Sequence, residues 1–335
     1  MITSIANIGQ LVTPVGGEPV QGERMGTLSI RENVCVSVRG ERIVAVSDTP
    51  PSEAADIVVD AGGGVVIPGL IDPLVWACQP AADTADPFSD DRRAASAFAQ
   101  LLRHGTTSAE VRTPPVAGWK EAEDVLATVE MGARRSGIRL LSCFLGSPRA
   151  ESRRSDDRIS DLIGETIPGL QRHRLVGCCA ALCGDNAYNR KEAKAVLRAA
   201  HGAGLGVKVQ VSGTGGEAIL LASELEATTI DQLVRASRPE LERLRQTDVI
   251  PVLLPGEPFL PELPWGDARG MVDAGLAVAL ASGASAAAAG ILSMATVLSL
   301  AVRAMHLSVA EALTAATLNA AGALNLAHQV GTIEP

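Results

Sequence analysis

Glu110, Asp231, Cys183 and Asp72 are the residues whose types and positions best suit chemistry. Each falls at or near the end of an apolar run, where a strand would carry it to one rim of a sheet. Cys183 is the candidate nucleophile, yet a reactive thiol needs a histidine or another charge partner beside it. The sequence sets no histidine there. Glu110 and Asp231 are candidates for acid–base work or for holding a metal, whereas Asp72 suits anchoring backbone. The five histidines, His104, His173, His201, His306 and His328, are scattered. Four lie on expected helices or their flanks, and His104 precedes a strand, so none is expected to bind a metal. Gly213-Thr214-Gly215-Gly216 follows a strand and could cradle a phosphate at a helix N-terminus. It lacks the lysine and the spacing of a nucleotide loop, and reads as a tight turn.

The elements that must position these residues follow from the pattern of apolar runs. Residues 1–66 read as short strands; Val34–Val38 and Arg42–Val46 flank Arg39-Gly40-Glu41, a hairpin signal. From residue 68 onward, runs at 68–76, 106–111, 139–144, 176–182, 206–211, 227–230, 249–254 and 276–281 alternate with helical stretches such as 121–135, 191–203 and 239–245. Eight strand–helix repeats in this length are what a (β/α)8 barrel requires. The expected organisation is a small N-terminal β-domain over residues 1–66 and a barrel over 67–335. Ser308 followed by Glu311 predicts a capped helix over 308–321.

Composition narrows the function classes. The chain has 335 residues, 47% hydrophobic but only 2% aromatic, so its core must be built mainly of Ala, Val, Leu and Ile. A net charge of −9 leaves no basic surplus for phosphates, which argues against nucleic acid as a partner. The six cysteines, including Cys35 and Cys78, lack disulfide or zinc-knuckle spacing and fit a reduced, cytoplasmic setting. No secretory signal is visible at the N-terminus. Residues 274–302 carry no charge, but their glycines and serines predict a strand, a loop and a helix from about residue 291, not a membrane span.

The run Pro68-Gly69-Leu70-Ile71-Asp72 resembles the first barrel strand of the amidohydrolase superfamily. His104-Gly105-Thr106-Thr107, Phe144-Leu145-Gly146, Val252-Leu253-Leu254-Pro255-Gly256, Thr317-Leu318-Asn319-Ala320-Ala321 and Gly331-Thr332-Ile333-Glu334-Pro335 extend the likeness, in order, to imidazolonepropionases. The resemblance implies a metal-dependent barrel hydrolase, and it also assigns the positions of the site. Two histidine ligands are expected where Leu74 and Trp76 stand, a third at Gln210, a fourth at Gln232, and a metal-binding aspartate at Gly283. On the substrate side, Pro148 stands for a histidine and Gly184 for a glutamate, and Thr113-Pro114-Pro115-Val116 replaces the substrate loop. Hydrocarbon, indole and glycine cannot ligate through their side chains, and an amide oxygen is a poor zinc ligand.

The resulting expectation is a chain that has lost its zinc or iron and binds no cofactor. It would serve as a non-catalytic scaffold, regulatory or binding subunit, with no catalytic residues beyond the weak candidates Glu110, Cys183 and Asp231. The alternatives are a divergent hydrolase of cyclic C–N bonds with altered or no metal, and a binder of small molecules at the barrel mouth. The family's missing last strands imply an incomplete β-domain, and a homodimer or a hetero-oligomer with an intact relative as partner.

Overall fold

The computed structural model describes residues 1–49, 55–76, 90–114, 118–146, 148, 155–173, 176–256, 264–284 and 291–335. Two sheets organise them. The smaller holds five strands: β1 (Ile2–Pro14), β2 (Leu28–Arg39), β3 (Arg42–Ser47), β4 (Ile57–Asp60) and β5 (Val65–Val66). Its order is β3-β2-β1-β4, with β5 also on β1. The hairpin predicted at Gly40 joins β2 to β3. Ile8, Leu11, Val34 and Val36 form its buried face, while β4 lies exposed along its whole length.

The larger sheet has eight parallel strands in sequence order: β6 (Leu70–Trp76), β7 (Thr106–Arg112), β8 (Arg139–Gly146), β9 (Cys178–Gly184), β10 (Gly206–Ser212), β11 (Thr229–Asp231), β12 (Ile250–Leu253) and β13 (Ala279–Leu280). The last strand returns to the first. Gly283 N donates to Leu74 O at 3.1 Å, and Trp76 N donates to Ala284 O at 2.9 Å. This is the expected (β/α)8 barrel with a small β-domain.

Helices follow the strands: α1 (Asp91–Arg103), α2 (Trp119–Ser136), α3 (Ser155–Asp161), α4 (Ile167–Arg172), α5 (Arg190–Gly202), α6 (Gly216–Glu224), α7 (Arg238–Arg245), α8 (Ala268–Asp273), α9 (Met294–Ala304), α10 (Val309–Ala315) and α11 (Leu318–Ala323). The helix expected over 308–321 is two. Its capping box forms, with Ser308 and Glu311 each accepting from the other's backbone N–H, but Thr317 leaves the helical region at φ −128° and ψ −90°. The run expected as a strand over 276–281 pairs only at Ala279 and Leu280. No described helix is long and apolar enough to cross a membrane.

Strand parity decides what enters the barrel. On β10, Val207, Val209 and Val211 pack outward with Ala193, Val196 and Leu197 of α5, so Lys208 and Gln210 point inward. On β7, Ala109 and Val111 pack against Phe98 and Leu101 of α1, which turns Glu110 and Arg112 inward. A segment from the small domain closes the barrel's N-terminal end. Met25 is fully buried there, its carbonyl accepts from Thr314 Oγ1 at 2.8 Å, and Asn319 bonds both Val20 and Val278.

Candidate functional site

The barrel interior holds a closed ionic network. Arg112 Nη1 donates to Asp231 Oδ2 at 2.6 Å and to Gln210 Oε1 at 3.0 Å; Arg112 Nη2 donates to Glu110 Oε1 at 2.8 Å. Lys208 Nζ reaches Glu110 Oε2 at 2.5 Å. Gln210 passes the network on, donating to Gln232 Oε1 at 2.5 Å. All four charged groups are buried. Charges in a low-dielectric interior are tolerated only when paired and hydrogen-bonded, and here two cations balance two carboxylates. Gln232 sits at φ +61°, a conformation that costs a non-glycine residue about 1 kcal/mol or more, and its side chain is aimed at Gln210.

The environment fixes the charge states. Burial opposes ionisation of Glu110, but Lys208 and Arg112 outweigh it and hold the carboxyl below its ordinary range. Burial likewise works against charge on Arg112 and Lys208. Asp231 and Glu110 respectively are the main carboxylates opposing it, and both cations end above their ordinary values. Asp72 is different. No cation among the described residues pairs with it, and burial pushes its pKa up to about 6 against the hydrogen bonds from Ser282 and Leu74. Its Oδ1 accepts from Ser282 N at 3.0 Å, and its Oδ2 accepts from the Ser282 hydroxyl. Asp72 thus ties β6 to the segment after β13, the backbone-anchoring role read from the sequence.

The positions assigned by the resemblance lie where strand ends deliver them. Leu74 and Trp76 are buried in one apolar cluster with Leu145, Val252 and Leu254. Gly283 has φ +62°, and a Cβ there would come within 2.7 Å of Leu254 Cδ2. Gly184 is tighter: at φ +128°, a Cβ would lie 1.9 Å from the Ser212 carbonyl oxygen. Pro148 is half-buried after β8. Thr113 accepts from Leu145 N at 2.9 Å, while Pro115 and Val116 fall outside the described residues, as does Cys78.

The candidate residues do not all converge. Glu110 and Asp231 meet through Arg112. Cys183 is directed away from them, into the helix-facing core with Cys179, Ala181 and Tyr188. Burial, then the nearby Glu217 carboxylate, pushes its thiol up to about 11. None of the five histidines enters the interior network, and His173 packs on Trp119 at the helix layer.

The structure brings together three groups that sequence reading left apart. The ligand atoms of Glu110, Cys143 and Cys178 all lie within 4.8 Å of one another, fully inside the barrel. Cys143 and Cys178 face each other across β8 and β9, and Cys178 Sγ donates to Glu110 Oε2 at 3.4 Å. Neighbouring cysteines in sequence, Cys178 and Cys179, point to opposite faces. The usable signal was strand parity: Cys143 alternates with Phe144, and Cys178 with Cys179. Two thiols and a carboxylate are donor types that zinc accepts. The expectation of a chain that has lost its metal and binds no cofactor is therefore corrected: a carboxylate and two thiols able to hold a metal ion stand together inside the barrel.

Comparison with known proteins agrees with this architecture. The Amidohydrolase family profile matches residues 264–335. Imidazolonepropionase from Geobacillus kaustophilus is 32% identical, over 97% of this chain and 87% of that protein. Its counterpart from Symbiobacterium thermophilum is 31% identical, over 98% of this chain and 88% of that protein. Among solved structures, a triazine hydrolase from Arthrobacter aurescens superposes with a TM-score of 0.78 at 16% identity, over 99% of this chain and 84% of its own. A variant of atrazine chlorohydrolase from strain TC1 of the same organism, complexed with zinc and atraton, gives the same TM-score and coverage. By its sequence identity across nearly its whole length, the chain belongs to the amidohydrolase family of hydrolases, among the imidazolonepropionase-like proteins.

Proposed function

We propose that this chain is a non-catalytic member of its hydrolase family, serving as a scaffold, regulatory or binding subunit, either as a homodimer or beside an intact relative. One observation supports this above all. Arg112 engages Asp231, Glu110 and Gln210 together, so both carboxylates placed to activate water are committed to the protein's own cations. A general base must be free to take a proton within hydrogen-bond reach of its substrate. Here that capacity is consumed before any substrate arrives. The test is an assay of the purified chain, with zinc, iron or manganese supplied, for opening of imidazolone and hydantoin rings. It is run alongside sizing with light scattering, alone and with an encoded relative. No turnover, together with a dimer or a mixed assembly, is the expected result. Ring opening that disappears in Glu110→Gln would overturn the reading.

A second reading is favoured by the Glu110–Cys143–Cys178 group: a divergent hydrolase of cyclic C–N bonds. A divalent ion held there would act as a Lewis acid and lower the pKa of a bound water. The relatives' name, imidazolonepropionase, supports a cyclic amide as the substrate class. The same assay, run with and without a chelator, separates the two readings.

A further inference from the structure

We propose that Glu110, Cys143 and Cys178 form a thiolate site for a borderline-soft divalent cation such as zinc, one layer below the barrel mouth and distinct from the rim positions at Leu74, Trp76, Gln210, Gln232 and Gly283. The placement follows from contacts. Cys143 and Cys178 pair with each other in the sheet, and Cys178 Sγ and Lys208 Nζ both meet Glu110 Oε2, while Glu110 sits two residues deeper than Arg112 on β7. Side chains two apart on one strand stack in successive layers. Gln210 stands above Lys208 in the same way. The site therefore belongs to the level of Glu110 and Lys208, beneath the level of Arg112, Gln210 and Asp231.

Three independent features favour a cation there. The first is donor geometry: three ligand atoms within 4.8 Å of one another span a space that one tetrahedral ion fills, leaving a fourth position for a water or a small ligand. The second is charge. With both thiols protonated, Glu110 and Asp231 balance Arg112 and Lys208, and the network is neutral. A divalent ion that displaces the two thiol protons adds two positive charges and creates two thiolates. The net buried charge stays at zero, so occupancy leaves no uncompensated charge in the interior, although Lys208 and Arg112 both lie on the Glu110 carboxylate. The third is incompleteness. Arg112 is fully buried, yet its Nε has no hydrogen-bond partner among the described residues, a defect that native interiors rarely leave. Cys143 is paired with Arg112 in the register, so a ligand or water held at this site would stand beside the unpartnered Nε.

Lys208 has a defined part in this. Its ammonium holds Glu110 Oε2 at 2.5 Å, the oxygen that also accepts from Cys178. It is the cation that the metal must compete with, whereas Arg112 holds the other oxygen, Oε1.

The test uses the full chain, purified and kept reduced. It is titrated with cobalt(II), whose thiolate complexes absorb in the near ultraviolet, and loaded with zinc for X-ray absorption. One equivalent of cobalt with a thiolate charge-transfer band is expected. It should be lost in Cys143→Ser and in Cys178→Ser, and retained in Cys179→Ser and Cys183→Ser. Lys208→Met should tighten binding, because it removes the competing cation. Zinc absorption on the unmodified protein needs no variant to fold, and should show two sulfur neighbours at about 2.3 Å. A shell of nitrogen and oxygen alone, or a folded chain that takes up no cobalt, would overturn the proposal. These readouts are independent of turnover. A chain that binds cobalt through sulfur and hydrolyses nothing keeps the site and the non-catalytic reading together, whereas one that turns over keeps the site and discards that reading.

Discussion

The guanidinium of Arg112 lies 2.6 Å from the carboxylate of Asp231, with both side chains no more than 1% exposed. This contact joins β7 to β11 across the barrel, since the two strands are not neighbours in the sheet. Arg112 is therefore a cross-brace as well as a counter-ion. Removing one partner of a buried pair leaves an uncompensated charge, and that is the expensive operation.

Arg112→Met should destabilise the fold by about 3–5 kcal/mol. Asp231 would lose its cation, while Glu110 would keep Lys208. Arg112→Met combined with Asp231→Asn should recover part of that loss, because the stranded charge is gone. Urea denaturation at pH 7 measures both. A single variant as stable as the unmodified chain would show that the network is not satisfied in solution.

Asp72 gives a pH dependence of opposite sign to an ordinary paired carboxylate. Its folded pKa, about 6, lies above the ordinary aspartate value of 3.8. Between these values the folded state holds more proton than the unfolded state, so stability from this group is full below about pH 4 and falls as pH rises to about 6. Two pH units correspond to roughly 3 kcal/mol. Asp72→Asn retains the Oδ1 contacts and cannot ionise. The stability difference between variant and unmodified chain should therefore move in the variant's favour from pH 4 to pH 7, then level off. A difference that stays constant across that range would sink the assignment.

Cys183 should be inert. A thiol raised from 9.0 to about 11 has a thiolate fraction at neutral pH roughly a hundredfold below the ordinary. It is also buried. Mass spectrometry of the native protein after brief iodoacetamide treatment should find Cys183 unmodified, with labelling appearing only once the chain is unfolded. Rapid native labelling would restore its candidacy as a nucleophile.

Gly184→Ala should cost about 2 kcal/mol or more, because it adds strain at positive φ to a clash with fixed backbone. The atom it would meet is the Ser212 carbonyl oxygen at 1.9 Å. Melting temperature, compared with that of the milder Gly283→Ala, whose neighbour is a flexible leucine, checks the ranking. Equal losses would contradict it.

Much of the barrel was legible because its strands are short apolar runs with regular helical spacers. The eighth run was overextended, since apolar residues around Ala279 are buried by packing without ladder pairing. The helix over 308–321 was split because Ala316 and Thr317 have no sequence mark strong enough to reveal a turn. The ionic network was missed at Arg112. It follows Glu110 by two residues on a strand where both alternate with the apolar Ala109 and Val111, and Lys208 and Gln210 alternate with valines in the same manner. Charges spaced by two within an apolar strand mark a polar interior, but which carboxylate meets which cation depends on strands 98 to 119 residues apart in the chain.

A side chain at 184 and the present course of the chain at Ser212 are mutually exclusive. Any larger residue at 184 would therefore require the end of β10 to retreat, so the two strand ends are locked together by the absence of a single side chain.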